Sequence, residues 1–149
     1  MRSRLRTCAA ACAALLFTAC AAPGKRQIRG ATTPAGPYSP GVVCGDLVFL
    51  AGQLGKDPAT GALVEGGVSA ETHQAMRNLG AVLREEGLGF EDVVKATVFL
   101  ADIDDFAAMN EVYASYFPAG GIPPARSTVQ AGAISAGARV EIDFIAVRR

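Results

Sequence analysis

From Arg139 to Val147 the chain alternates Val140, Ile142, Phe144 and Ala146 with Glu141, Asp143, Ile145 and Val147. A period of two is the period of a strand, and it commits one face of this segment to a core that other elements must cover. Two helical stripes supply the cover. Between Glu71 and Glu86, apolar side chains recur at Ala75, Met76, Leu79, Val82 and Leu83, and Gly87 stops the run. Asp104 or Asp105 can cap a second helix running to Phe117, with the stripe Phe106, Met109, Tyr113, Tyr116 and Phe117, and Pro118 ends it. Val42–Cys44 and Leu47–Gln53 flank Gly45-Asp46 as a hairpin, and Asp57 to Gly61 is a turn. Val93–Ala101 and Ser127–Ala131 read as further strands. The order ββαβαββ predicts a two-layer α/β sandwich, α+β in kind.

The amino terminus reads differently. Three arginines in residues 1–6 precede an uncharged run from Thr7 to Ala19, the pattern of a signal peptide over residues 1–19. That run is too short for a hydrocarbon core, which takes about 20 helical residues. Phe17-Thr18-Ala19-Cys20 resembles a lipobox, which would make Cys20 an acylated new terminus. Cleavage at a small-x-small site around Ala19-Cys20-Ala21 would instead release a soluble exported protein, and a misplaced start codon is the third reading. Either exported form is periplasmic. Residues 20–35 have no apolar period and read as a tether, which leaves 36–149 as the folded domain.

Charge and cysteines narrow the function. The 14 basic and 14 acidic residues balance, with no basic run to bind a phosphate backbone, so nucleic acid is not expected as a partner. Loss of residues 1–19 would leave 11 basic against 14 acidic residues. Cys8 and Cys12 would leave with the signal; if Cys20 is acylated, Cys44 alone remains as a thiol and no internal disulfide can form. Cys44 reads as a small buried hydrophobe.

The familiar catalytic sets are missing from the sequence. His73 is the single histidine and reads as solvated on a polar helix face, with no Gly-x-Ser-x-Gly elbow to use it. No His, Cys or carboxylate cluster has metal-ligand spacing, so no metal is expected. Gly52-Gln53-Leu54-Gly55 lacks the third glycine and the lysine of a phosphate loop. Asp102, Asp104 and Asp105 read as capping groups. Arg126 stands out because Pro123-Pro124-Ala125 leads it stiffly into a strand, and a guanidinium so placed suits a small carboxylate. A surface salt bridge is the competing reading of the same residue.

Several separated segments then resemble the RidA family, also called YjgF. They are Gly36-Pro37-Tyr38-Ser39, the run from Leu47 to Gln53, that from Asp92 to Leu100, that from Asp105 to Tyr113, Pro124-Ala125-Arg126-Ser127-Thr128-Val129-Gln130, and Val140 to Val147. The likeness extends from about Pro34 to Arg148. It implies a chorismate-mutase-like fold assembled as a homotrimer, with sites in the clefts between subunits. It also implies cofactor-independent hydrolysis of reactive 2-imino acids, of the 2-iminobutanoate and 2-iminopropanoate type, to 2-keto acids and ammonia. An imine carbon is already electrophilic, so a protein need only hold the carboxylate, aim a water and stabilise charge as nitrogen leaves.

Carried over by position, the resemblance makes Arg126 the carboxylate clamp, Glu141 the group that orients and deprotonates water, and Tyr38 a pocket wall with a hydroxyl to offer. Gly52 and Asn110 line the pocket, and Thr128 stands where many members have Cys and helps hold the water. Read without the family, Tyr38 is a packed loop aromatic, Asn110 a helix-surface amide and Glu141 a solvent-facing strand carboxylate. Departures are Pro40, the Ala131–Gly137 loop without the usual Leu-Pro-Lys, and the exported terminus. The alternative function is an exported trimer that binds a small carboxylate or a protein partner without turnover. Contact with a membrane would come only through an N-terminal lipid.

Overall fold

The computed structural model describes residues 24–29 and 36–148. The signal segment 1–19, Cys20 and most of the expected tether therefore lie outside the described residues. The chain runs through β1 (Lys25–Ile28), β2 (Gly41–Cys44), β3 (Leu47–Leu54), α1 (Gly67–Arg84), β4 (Val93–Leu100), α2 (Phe106–Ala114), β5 (Ala125–Gln130) and β6 (Val140–Val147). Gly45, at φ 60°, takes the left-handed turn position of the expected β2–β3 hairpin. β6 inserts antiparallel between β3 and β4, while α2 crosses from β4 to a parallel β5. The sheet order is β1-β2-β3-β6-β4-β5.

Both helices lie on one face, so the α+β two-layer reading holds. The α1 stripe Ala75, Met76, Leu79, Val82 and Leu83 is wholly buried, against Val98, Leu100, Val140, Ile142 and Phe144 of the sheet. The alternation of β6 is seen directly: Val140, Ile142, Phe144 and Ala146 are buried, and the residues between them are half-buried on the far face. Among the described residues no helix covers that far face. Leu47, Phe49 and Val129 remain between 40% and 45% exposed there.

Several boundaries differ from expectation. Lys25–Ile28 is not tether but an edge strand paired with β2, Ile28 opposite Gly41. Only Ile28 of its four residues is buried, so no period marks it in the sequence. Arg26 also donates to both Glu86 oxygens, at 3.0 and 2.6 Å, tying this strand to the segment after α1. α2 stops at Ala114 and not at Phe117, because the chain tightens through bonds from Ser115, Tyr116 and Phe117 to carbonyls three residues back before reaching Pro118. Asp105 holds the N-cap position of α2 but makes no side-chain cap bond, its carboxylate facing Arg139 at 3.4 Å; Asp102 caps the single turn Ile103–Asp105 before it, accepting from the Asp104 amide at 3.0 Å.

If β1 belongs to the fold, Ile28→Ala should cost about 2–4 kcal/mol in urea unfolding. A loss below about 0.5 kcal/mol would return the segment to the role of a tether.

Candidate active site

Arg126 pairs with Ala96 across the β4–β5 ladder, so it shares the helix-covered face with that buried residue. Its Nη2 donates to Asn110 Oδ1 at 2.7 Å, and its guanidinium carbon lies 4.6 Å from the ring centre of Tyr113 and 5.7 Å from that of Phe106. Phe106, Asn110 and Tyr113 follow one another at helical spacing along α2, so a single stripe builds the whole cradle. Among the described residues Arg126 forms no salt bridge. The competing surface-salt-bridge reading therefore fails, and most of its five N–H donors stay available to an anion.

The surroundings are largely apolar. A half-open cavity of about 690 Å³ adjoins Arg126, with Tyr113, Phe117 and Pro123 among its walls. Tyr113 is 5% exposed, and burial pushes its phenol up to about 12, a rise that the positive charge of Arg126 partly opposes. The hydroxyls of Tyr113 and Thr128 are both buried with no hydrogen bond among the described residues. Thr128 lies opposite Val98, on the same face as Arg126.

Glu141 belongs to a second cluster. It pairs with Leu54 on one side and Phe99 on the other, and faces away from the helices. Gly52 sits where the β3–β6 register shifts, and any Cβ there would overlap the Glu141 carboxylate. Glycine is what allows that carboxylate to lie against the β3 backbone. Burial, and then the negative charge of Asp143, raise the Glu141 carboxyl above its ordinary range. Tyr38, half exposed, precedes Pro40, whose carbonyl accepts from the Ala51 amide at 2.9 Å and brings that loop beside Gly52.

The structure thus joins Arg126 to Asn110 and Glu141 to Gly52, and it separates the two pairs. Arg126 is level with Ala96 and, through it, with Phe144; Glu141 is three residues along β6 from Phe144 and on the opposite face. No side-chain rotation brings them together through the sheet. Within one chain these are two half-sites.

The remaining candidates are structural in their contacts. His73 is exposed as expected, but its Nδ1 lies 3.1 Å from the Tyr116 hydroxyl, which itself donates to the His73 carbonyl. Sequence reasoning did not single out Phe106 and Tyr113 as site residues, because apolar residues at helical spacing read as core. Their one signal was Asn110, a polar residue on the same stripe.

Residues 29–148 match the family described as endoribonuclease L-PSP. The chain belongs to that family, in which the RidA proteins fall. A Capra hircus protein named 2-iminobutanoate/2-iminopropanoate deaminase is 49% identical over 126 residues, 83% of this chain and 90% of its own. The crystal structure of RidA from a Psychrobacter species superposes with a TM-score of 0.77 at 37% identity, covering 83% of this chain and 99% of the other. Escherichia coli TdcF with bound serine gives 0.78 at 35%, with the same coverage.

Two substitutions test the half-sites of this RidA-family chain. Gly52→Ala should displace the Glu141 carboxylate and lower kcat by about 10²-fold with the fold intact by circular dichroism. Tyr113→Leu should raise KM for a carboxylate substrate about 3- to 30-fold, whereas Tyr113→Phe keeps the ring under Arg126 and should leave KM unchanged. Equal effects of the two Tyr113 variants would show that the ring does not position the guanidinium.

Proposed function

We propose that the chain is a cofactor-independent hydrolase that converts 2-imino acids to 2-keto acids and ammonia, working as a homotrimer with each site shared between two copies. The observation that carries this reading is the guanidinium of Arg126, held in a cradle of α2 side chains with no salt bridge among the described residues. Names of relatives support it: proteins 43% to 49% identical, from Homo sapiens to Capra hircus, are called 2-iminobutanoate/2-iminopropanoate deaminase. The RNA substrate implied by the family description finds no support in a chain whose 14 basic and 14 acidic residues cancel.

In this reading Arg126 of one copy grips the substrate carboxylate with its free N–H groups, and Asn110 fixes its orientation. Glu141 and Gly52 come from a second copy, together with Tyr38, whose hydroxyl helps shape the pocket. The Glu141 carboxylate takes a proton from water as its oxygen bonds to the imine carbon and the C=N π pair moves to nitrogen. That nitrogen gains a proton, giving a carbinolamine. The carbinolamine hydroxyl proton is passed to that nitrogen, and the C–N bond breaks with its electron pair on nitrogen, leaving a 2-keto acid and ammonia. Thr128, two residues beyond Arg126 on the same face, is placed to hold the water. Leu47, Phe49 and Val129 on the uncovered sheet face supply apolar area for the assembly.

The raised Glu141 carboxyl has two consequences. As a base it must be ionised, so the acidic limb of the rate profile falls above the ordinary carboxyl range. Because the folded state holds this proton more tightly than the unfolded chain, ionisation costs stability, and the cost vanishes as pH falls below the unfolded value. Glu141→Gln should therefore abolish activity yet raise Tm at pH 7, with the gain disappearing in acid. A variant less stable than wild type at neutral pH would contradict this.

The decisive experiment uses imine generated in place by an amino acid oxidase. Wild type should accelerate its loss over buffer, and Arg126→Ala and Glu141→Gln should each remove the gain. Co-expressed together, the two inactive variants should recover about one quarter of wild-type activity, because a shared site can draw one intact residue from each copy. Mixed variants that stay inactive would overturn the shared site; a wild type no faster than buffer would leave a carboxylate-binding module.

We also propose export, on the strength of the charged, then apolar, then cysteine order of residues 1–20. Labelled palmitate should enter the wild type and not Cys20→Ala. An exported but unlabelled wild type would mean cleavage without lipid.

A further inference from the structure

Three polar side chains of α1 are buried at positions where apolar ones would cost the fold less. Glu71, Gln74 and Asn78 are 6%, 9% and 7% exposed and stand at i, i+3 and i+7, one stripe turned inward. We propose that this stripe positions Glu141, with the Glu71 carboxylate as a positioning residue that holds the start of β6 and Asn78 holding the end of β3. The role rests on the deaminase reading, in which Glu141 is the base.

β3 and β6 separate where the stripe meets them. Leu54 lies opposite Glu141, and the same register carried two residues further would set Lys56 opposite Arg139, but Lys56 bridges to Leu63 instead. The Arg139 amide thereby loses its strand partner. The Glu71 carboxylate takes that place, accepting from the amide at 2.8 Å, while the Arg139 carbonyl accepts from the Ala101 amide at 2.9 Å. The departing end of β3 is held by the same helix: Asn78 Nδ2 donates to the Leu54 carbonyl at 3.1 Å and to the Lys56 carbonyl at 2.9 Å. Gln74 Nε2 donates to Asn78 Oδ1 at 2.8 Å and so orients that amide. Between the two carbonyls, a Cβ at Gly55 would lie 2.5 Å from the Glu71 Cα, so strand and helix meet main chain to main chain.

Glu141 points to the other face of the sheet, and the helix reaches it only through the backbone. Its carboxylate occupies the space left at Gly52, two residues before Leu54, and it follows Arg139 by two residues. Movement of either strand end changes that space. A displacement of about 1 Å in a reacting group can cost about 10²-fold in rate. An apolar stripe would join helix to sheet at less cost, but a hydrogen bond also fixes length and direction. Arg126 is held separately, by Asn110 and Tyr113 of α2, so the grip on substrate does not pass through this stripe.

Glu71→Leu keeps bulk and removes the acceptor. With imine supplied by an amino acid oxidase, it should lower kcat about 30-fold and leave KM within about twofold. Glu71→Gln retains an oxygen that accepts from the Arg139 amide and should stay within about threefold of wild type. Asn78→Ser, too short to reach the Leu54 and Lys56 carbonyls, should show the same loss confined to kcat, and it reads the stripe even if Glu71→Leu does not fold. Val82→Ala, buried in the same helix with no side-chain bond to either strand end, controls for lost stability and should keep kcat within about twofold. Unchanged kcat in Asn78→Ser and in folded Glu71→Leu overturns the positioning role, as does an equal loss in Glu71→Gln or in Val82→Ala; each leaves the deaminase reading standing. A wild type that hydrolyses no imine overturns that reading and the role with it.

Discussion

The sheet itself is the barrier around which this site has to be built. Strand alternation puts Ile142 and Phe144 into the core and, by the same geometry, turns Glu141 out on the other side. Arg126 falls on the helix side because it pairs with Ala96, a residue buried completely. A cation and a carboxylate on opposite faces of one sheet act on one small molecule only if a second copy wraps round. β5 is a sheet edge that carries the exposed Val129, and Leu47 and Phe49 are exposed on β3 of the same sheet. Assembly is therefore part of the proposed chemistry, and what stabilises the interface also sets the distance between base and substrate.

Each half-site is held by a different device. Arg126 is long and would lose several rotamers if pinned by one bond alone; the Asn110 amide fixes one nitrogen and the Tyr113 ring covers the plane, so its direction is set before an anion arrives. Glu141 is shorter and is held by space. With no Cβ at Gly52, its carboxylate settles against backbone, partly out of water and close enough to Asp143 for its proton affinity to rise. An ordinary glutamate is a weak base at neutral pH, and this placement strengthens it.

The elements with a period were legible in the sequence, and those without one were not. The stripe from Ala75 to Leu83 and the alternation from Val140 to Ala146 recorded burial directly, and both helices and β6 followed. β1 escaped because its single buried residue, Ile28, gives no repeat. α1 begins at Gly67, earlier than its apolar stripe suggested, since Gly66 and Gly67, both at positive φ, carry no helical signal. Motif likeness named Arg126, Asn110, Gly52 and Glu141, and local pairing put them two by two. The separation of those pairs depends on which strand lies beside which, and β6 slotting between β3 and β4 is a long-range choice that spacing along the chain does not record.

Thr128 sharpens the question of how the water is held. Its hydroxyl oxygen is buried on the Arg126 face and makes no hydrogen bond among the described residues. A buried hydroxyl left unmatched costs about 1–3 kcal/mol, which a valine of the same shape would avoid. In the proposed shared site, a group of the second copy, the substrate carboxylate or the attacking water would complete the bond. The same logic does not extend to Tyr113. Its ring already has a task in covering the guanidinium, so the hydroxyl can be idle without the residue being so.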